Sequence, residues 1–379
     1  MSSPRKSLPA WIDVGLIPLI NIMLAFIVSG LVIWLIGENP FEAVRIVIYG
    51  AFGNDYSIGY TLYYTTNFIF TGLAVAVAFH ASLFNIGGEG QAYIGGLGVG
   101  LLCLALDQYL PLWIILPLAV IASGLFGAAW AYIPAYLQAY RGSHIVITTI
   151  MFNFIAFSVM NYLLVNVLIE PGQMSPESRD FLEAAHIPTM KEAFAWFGIE
   201  IAYTNLNLSI LLALLSCVFV WLFLWHTRWG YAIRMLGFNE NAANYSGINT
   251  RRLIVGTMCL SGALASFVGI NELMGVHHRV LLDFPAGYGF AGIAVALMGR
   301  NHPVGIVIAS LLFGALYQGG TELSFEIPTI QSEMVKTIQG LVILFCGALA
   351  YMARPTVERV FIALTQNKTS QNEPTVVAE

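Results

Sequence analysis

The sequence predicts an all-α polytopic membrane protein of about ten transmembrane helices, roughly 8–10, with both termini cytoplasmic. Three observations lead there. Of 379 residues, 58% are apolar and 10% are charged, and mean hydropathy is +0.76, whereas soluble domains carry about 25% charged residues. A bilayer core of about 30 Å takes about 20 apolar residues per helix. On that ruler, runs fall near 17–36, 66–85, 90–106, 112–138, 145–169, 207–226, 254–275, 284–299, 303–318 and 333–353. Finally, Lys and Arg divide unequally between alternate connections, and cytoplasmic loops retain them.

The first run follows Arg5 and Lys6. Its length, and the lack of a small-x-small site before GENPFE, make it an uncleaved anchor rather than a signal peptide. In segment 37–65, the piece FEAVRIVIYGAF is amphipathic and suits the interface. Segment 170–206 is acidic and contains prolines, as an outer loop can, and 227–253 is a long inner loop. The inner side thereby receives Arg5, Lys6, Arg141, Arg228, Arg234, Arg251, Arg252, Arg300, Arg354, Arg359 and Lys368, leaving Arg45, Arg179, Lys191, Arg279 and Lys336 outside or near that face. The membrane domain is assigned to 1–355 and a cytoplasmic tail to 356–379, whose polar end NKTSQNEPTVVAE is expected to be disordered. No clear internal repeat emerges; the Gly-rich helix pairs 71–106 and 287–318 share only small-residue content.

A net charge of −5 spread over loops argues against nucleic-acid binding. Cys103, Cys217, Cys259 and Cys346 lie in apolar runs without CxxC or CxxH spacing, which predicts small buried side chains and neither a zinc site nor a disulfide framework. No metal or cofactor is expected; His277 and His278 alone are too little for a metal site.

Residues 84–91 read FNIGGEGQ, three glycines around a carboxylate between two apolar runs. Each glycine weakens a helix by about 1 kcal/mol relative to alanine, so the chain unwinds or turns there. At membrane depth such backbone is tolerated only beside protein or a water-filled cavity. Phe84, Asn85, Glu89 and Gln91 would then face a route through the protein. Alternatively, GGEG is a tight turn at the inner surface, with Glu89 solvated or capping the next helix.

Other intramembrane polar residues share this ambiguity. Glu272 lies near the outer end of the seventh run, and His80, Asn153 and Asn161 lie in or beside apolar helices. A charge at the bilayer centre costs about 3 kcal/mol, so such groups face a partner or a cavity. The asparagines suit interhelical hydrogen bonds, and His80 a satisfied interface. In GYGFAGIAVALMG, Tyr288 and Phe290 are either aromatic faces for a stacking ligand or interfacial anchors.

In the inner loop, Asn239 or Asn241 can cap a short helix through Ala242, Ala243 and Tyr245, which Gly247 can close in a left-handed conformation. So short a helix is marginal alone and must pack against something. That is either this protein's own surface, with the arginines only fixing topology, or a partner.

GENPFEAV and GAFGN, TGLAVAVAFHASLFNIGGEGQ, RGSHIVITTIMFNFIA, PGQMSPES, GYAIRMLGFNENAANYSGI, NELMGV and GYGFAGIAVALMGRNHPVGI occur in an order that resembles permease subunits of bacterial ABC importers. The family includes the branched-chain amino acid, ribose and simple-sugar permeases. The resemblance covers nearly the whole chain. Within the family, the long outer loop and FNIGGEGQ look most like the larger permease of nucleoside importers fed by a basic-membrane-protein-type lipoprotein. One departure is Ile145, where many relatives carry a glutamate, and any charged contact they make there is in doubt here.

The resemblance implies a coupling helix over 239–248, with Gly237, Asn239, Ala242, Ala243, Tyr245 and Gly247 in the segment that docks on a cytoplasmic ATP-binding subunit. It implies a second, related permease, an extracytoplasmic substrate-binding lipoprotein, a nucleoside substrate and a place in the bacterial cytoplasmic membrane. The residues read above, Phe84, Asn85, Glu89, Gln91, Asn153, Glu272, Tyr288 and Phe290, are the candidates for the substrate pathway. No GxxxxGK(S/T) phosphate loop occurs in the chain, so it does not hydrolyse ATP by that route. The rivals are a permease for sugars or other small polar solutes and, from another class, a proton-coupled secondary transporter using Glu89, Glu272 and His80.

Overall fold

A computed structural model describes residues 16–196 and 198–345. The expected tail 356–379, Cys346 and the later part of the run 333–353 lie outside the described residues. Among those described there is no strand, only an isolated bridge between Thr189 and Asn207. Residues 44–332 make one compact unit, which holds the candidate site; the described residues 16–43 and 333–345 belong to another.

Helix α1 spans Ile17–Leu35 and α2 spans Pro40–Phe52, the amphipathic piece. Helix α3, Asp55–His80, starts at Asn54, whose side chain accepts the Ser57 N–H at 2.7 Å. It begins about ten residues before the apolar run that predicted it, because Ser57, Thr61, Tyr63 and Thr65 there are buried against protein rather than lipid. Residues 81–87 are irregular, and α4 follows over Gly88–Leu106. Then come α5 (Leu112–Arg141), ended by Gly142 at φ +70°, and α6 (Ile145–Leu163), which runs on as a π-helix over Leu164–Leu168.

Within the 170–206 segment only α7, Met190–Ala195, is α-helical; a capping box between Thr189 and Glu192 starts it. Helices α8 (Ser209–His226), α9 (Arg228–Phe238), α10 (Glu240–Tyr245) and α11 (Thr250–Ser266) follow. The chain continues from α11 into a π-helix, Ile270–His277. The final helices are α12 (Tyr288–Met298), α13 (Pro303–Glu326) and α14 (Ser332–Ile343).

Seven of these segments are long and apolar enough to cross a membrane: Asp55–His80, Gly88–Leu106, Leu112–Arg141, Ile145–Leu168, Ser209–His226, Thr250–His277 and Pro303–Glu326. Met23–Leu35 and Tyr288–Met298 are shorter apolar helices.

Helix α3 is buried along most of its length, whereas α5, α6 and α8 expose rows of apolar side chains such as Leu125, Phe154 and Leu215. Small residues let the inner helices approach closely. A Cβ at Gly262 of α11 would lie 2.6 Å from the Ala131 side chain of α5, and one at Gly72 of α3 would lie 2.9 Å from Val295 of α12. Cys103 and Cys217 are buried and Cys259 is half-buried, as small apolar side chains would be.

Candidate functional site

The irregular segment 81–87 begins at the helix ends but does not stay there. Asn85 donates to Ser261 Oγ at 2.9 Å, and Ser261 in turn donates to the Ala74 carbonyl at 2.6 Å. At 1.5 Å per residue, Ser261 is about 16 Å along α11 from its start and Ala74 about 9 Å back from the end of α3. On α6, Asn153 accepts the Gly90 N–H and donates to the Ile86 carbonyl, both at 2.9 Å, about 12 Å along from its first residue. The chain leaves α3, turns back among the helices and starts α4 in their midst.

Helix α12 does the same from the opposite direction. It follows the irregular stretch 278–287, and its 11 residues span about 16 Å, half a bilayer core. Its first turn meets that of α4. Glu89 Oε1 accepts the Gly287 N–H and Oε2 accepts the Gly289 N–H, each at 2.8 Å. A Cβ at Gly289 would lie 2.6 Å from Glu89 Cα, so only glycine permits this approach. Two helix N-termini, each the positive end of its dipole and each with unpaired N–H groups, thus face one another with a carboxylate between them.

The other polar residues of FNIGGEGQ build this break. Asn85 and Gln91 pair through their amides at 2.9 and 3.2 Å, and Asn85 Oδ1 accepts the Gly87 N–H at 2.9 Å. Both are buried and satisfied by protein. Phe84 packs edge-on against Phe79 with centroids 5.1 Å apart. Glu89 as a whole residue is half-buried, and both of its carboxylate oxygens are taken by these backbone N–H groups.

Tyr288 is buried in an aromatic cluster with Tyr64, Phe68 and Tyr317, at centroid separations of 6.4, 5.4 and 6.3 Å. Phe290, two residues on, points the other way and is 49% exposed, so the two expected aromatic faces do not form one surface.

Glu272 lies in a second polar cluster. The π-helix carries it inward to 2% exposure, where the Tyr63 hydroxyl lies 2.7 and 2.8 Å from its two oxygens and Asn67 donates at 2.5 Å. His277 approaches at 3.4 Å. The network extends through Asn271, which donates to Asn67 at 2.9 Å and accepts from Asn207 at 2.8 Å and Ser209 at 2.7 Å. Sequence reading missed Tyr63 and Asn67, although their i, i+4 spacing puts both on one helix face. The apolar run begins only at residue 66, so hydropathy by itself puts Tyr63 outside the helix.

The two ends of the bundle are also joined by specific contacts. At one, Arg179 in the 170–206 segment pairs with Asp107 after α4 through two bonds of 2.8 and 2.9 Å. Burial would raise the Asp107 carboxyl, but the Arg179 guanidinium and the Leu182 N–H hold it below its ordinary value. The segment is tied further by N–H bonds from Ser178 to the Val280 carbonyl (2.9 Å) and from Ile187 to the Met274 carbonyl (2.9 Å).

At the other end, Ser82 donates to the Gly237 carbonyl at 2.7 Å, and the His80 ring packs edge-on to Trp225 and bonds the Asn301 carbonyl at 3.0 Å. His80 is thus the satisfied interface histidine expected. Asn239 caps α10 by accepting the Ala242 N–H at 3.1 Å, and Gly247 at φ +79° follows it. Ala243 is fully buried against its own chain, while Ala242, Tyr245 and, before the cap, Phe238 are exposed.

Residues 57–347 match the family described as branched-chain amino acid transport system / permease component. The guanosine ABC transporter permease protein NupP of Bacillus subtilis is 35% identical, with 88% of this chain and 93% of that protein covered. The nucleoside ABC transporter permease protein NupB of Lactococcus lactis subsp. cremoris is 31% identical over 87% of this chain and 90% of its own length. The glucose ABC transporter permease protein TsgB13 of Haloferax volcanii is 31% identical over 90% and 89%.

Proposed function

Because the chain belongs to the branched-chain amino acid transport system / permease component family, we propose that it is the subunit of an ABC importer through which nucleosides cross the bacterial cytoplasmic membrane. It is a multi-pass transport subunit and not a catalyst; energy comes from a partner ATPase, and a substrate-binding partner completes the system. The nucleoside reading draws on the guanosine and nucleoside permeases among its relatives. The glucose permease at similar identity favours a sugar as the second reading.

The observation that carries the transport reading is the meeting of two helix N-termini at Glu89. Interrupted helices inside a membrane protein line a route or pack on protein, and this break sets a carboxylate between two helix starts among buried groups. On this reading the route passes Glu89 and the Tyr288 cluster, with Glu272 and its partners nearer the Asp107 end. Phe84, Asn85, Gln91 and Asn153 hold the break in place, and Phe290 faces away.

In the same proposal the chain crosses about ten times with both termini inside. The 227–253 loop is cytoplasmic, and 170–206 is outside, facing the binding lipoprotein. Helix α10 and its flanks, the segment from Gly237 to Gly247, engage the ATP-binding subunit through the exposed Ala242 and Tyr245, with Asn239 capping the helix and Ala243 packed beneath it, and a second related permease stands beside this one.

Uptake of labelled nucleosides and sugars into cells holding the complete transporter tests the substrate class: nucleoside uptake that competing sugars do not reduce is expected, and the reverse pattern assigns a sugar. Impermeant thiol labelling of intact cells tests orientation. A cysteine at position 174, where Met174 is fully exposed, should label from outside, and one at position 244 should not.

A further inference from the structure

A cleft of about 330 Å³ opens between the first turns of α9 and α11, lined by Arg228, Trp229, Ala232, Asn249, Arg252 and Leu253. Arg228, Trp229 and Arg252 are exposed. Among the described residues, no carboxylate lies within ion-pair distance of Arg228, Arg251 or Arg252; Arg251 instead lies over the Tyr140 ring at 5.7 Å. All three arginines occupy the first turns of helices. A cation there opposes the positive end of the helix dipole, so the arrangement is unfavourable until an anion enters it.

The place of the cleft in the fold says which anion. Arg228 lies one residue beyond the span Ser209–His226, and Asn249 directly precedes the span Thr250–His277. Helix α8 exposes Leu211, Leu215, Val218 and Leu222 along its length, the surface that lipid chains would cover, and the chain runs off its end through Thr227 into Arg228 and Trp229. Guanidinium groups and an exposed tryptophan at the end of an apolar helix sit at headgroup level. The exposed tip of α10, with Tyr245, is a separate feature from the roots of α9 and α11 that wall the cleft.

We propose that this cleft binds the headgroup phosphate of an anionic phospholipid of the inner leaflet, with Arg228 and Arg252 taking the phosphate and Trp229 the boundary below it. The leaflet assignment rests on the orientation proposed above; the lipid contact itself does not. Basic clefts between spanning helices recognise anionic headgroups in this way. A bound lipid would hold α9, and through Gly237 the end of α3, at a set height in the membrane.

The test is native mass spectrometry of the purified transporter complex, exposed in detergent to equal amounts of phosphatidylglycerol and phosphatidylcholine. The wild type should retain phosphatidylglycerol preferentially. The pair Arg228→Gln and Arg252→Gln should lose the preference, each exchange weakening retention about fivefold, while the corresponding lysine pair keeps most of it. If the glutamine pair does not yield intact complex, the single exchanges are compared; retention unchanged in both overturns the proposal. Three other results also overturn it: an undiminished preference in the glutamine pair, loss of the preference on adding millimolar inorganic phosphate, which would assign the cleft to a soluble anion, or loss of the ATPase subunit with lipid retention unchanged, which would assign it to the protein partner. Because the measurement is made in detergent, its outcome is independent of the labelling experiment that tests orientation.

Discussion

Glu89 accepts the backbone N–H of Gly289 at 2.8 Å across 200 residues of chain, and its other oxygen takes Gly287 at the same distance. This relationship accounts for the carboxylate and for Gly88, where a Cβ would lie 3.5 Å from Gly289 Cα, while Gly90 lets Asn153 of α6 approach and Gly87 lets Asn85 and Gln91 pair. The first turn of α4 has to come within van der Waals reach of the first turn of α12, and the donors exposed there need an acceptor.

A carboxylate offers only acceptors, whereas an amide presents a donor on one side. Glu89→Gln therefore sets an N–H₂ against a backbone N–H and is expected to be nearly as damaging as Glu89→Ala, each leaving at least one donor unpaired at about 1–3 kcal/mol. Both variants should insert and lose substrate uptake at matched expression. Wild-type uptake by Glu89→Ala would remove Glu89 from the route.

Gly289→Ala tests the approach independently of charge. The added methyl would meet Glu89 Cα at 2.6 Å, and such overpacking costs about 1–3 kcal/mol. A lowered melting temperature in detergent together with reduced uptake is expected. An unchanged melting temperature would mean that the two helix starts do not touch.

Asp107 supplies a pH dependence. Its folded-state pKa lies below its ordinary value of 3.8, so the stabilisation from the Arg179 pair is fully present above about pH 4 and is lost as pH falls through the lower folded value. Protease cleavage within 170–206 should therefore be slow and constant from neutral pH down to about pH 4, then accelerate. Asp107→Asn should be cleaved faster at and above about pH 4, with no such step, and the wild type should converge on it at lower pH. A flat, slow profile in the variant would show that the remaining backbone bonds hold the segment alone.

For the coupling loop, the structure separates two neighbouring positions. Tyr245 is 93% exposed and Ala243 is 0% exposed. If the tip of α10 docks on the ATPase, Tyr245→Ala should leave membrane insertion intact and weaken co-purification of the ATPase, by about 2 kcal/mol if the ring is an interface anchor. Ala243→Arg should instead lower the amount of folded permease, because an arginine cannot be accommodated in its own packed site. Full co-purification with Tyr245→Ala would place the docking contact elsewhere.

The sequence by itself determined the class of the protein. Apolar runs of spanning length, few charges and segregated arginines are one-dimensional properties set by the bilayer, so they are legible without any long-range contact. Local chemistry was equally legible at α10, where Asn239 and Gly247 close a helix through bonds within a few residues.

What only the tertiary structure decided depends on partners distant in the chain. The depth of FNIGGEGQ was open because glycines report only that a helix breaks; Ser261, Asn153 and Gly287 place the break among the helices. The start of α3 was missed because hydropathy records preference for lipid, and Tyr63 and Asn67 are buried against Glu272 instead. The inward turn of Ala243 followed the same logic. A short helix has two faces, and which one is covered is settled by its neighbours and not by its own residues.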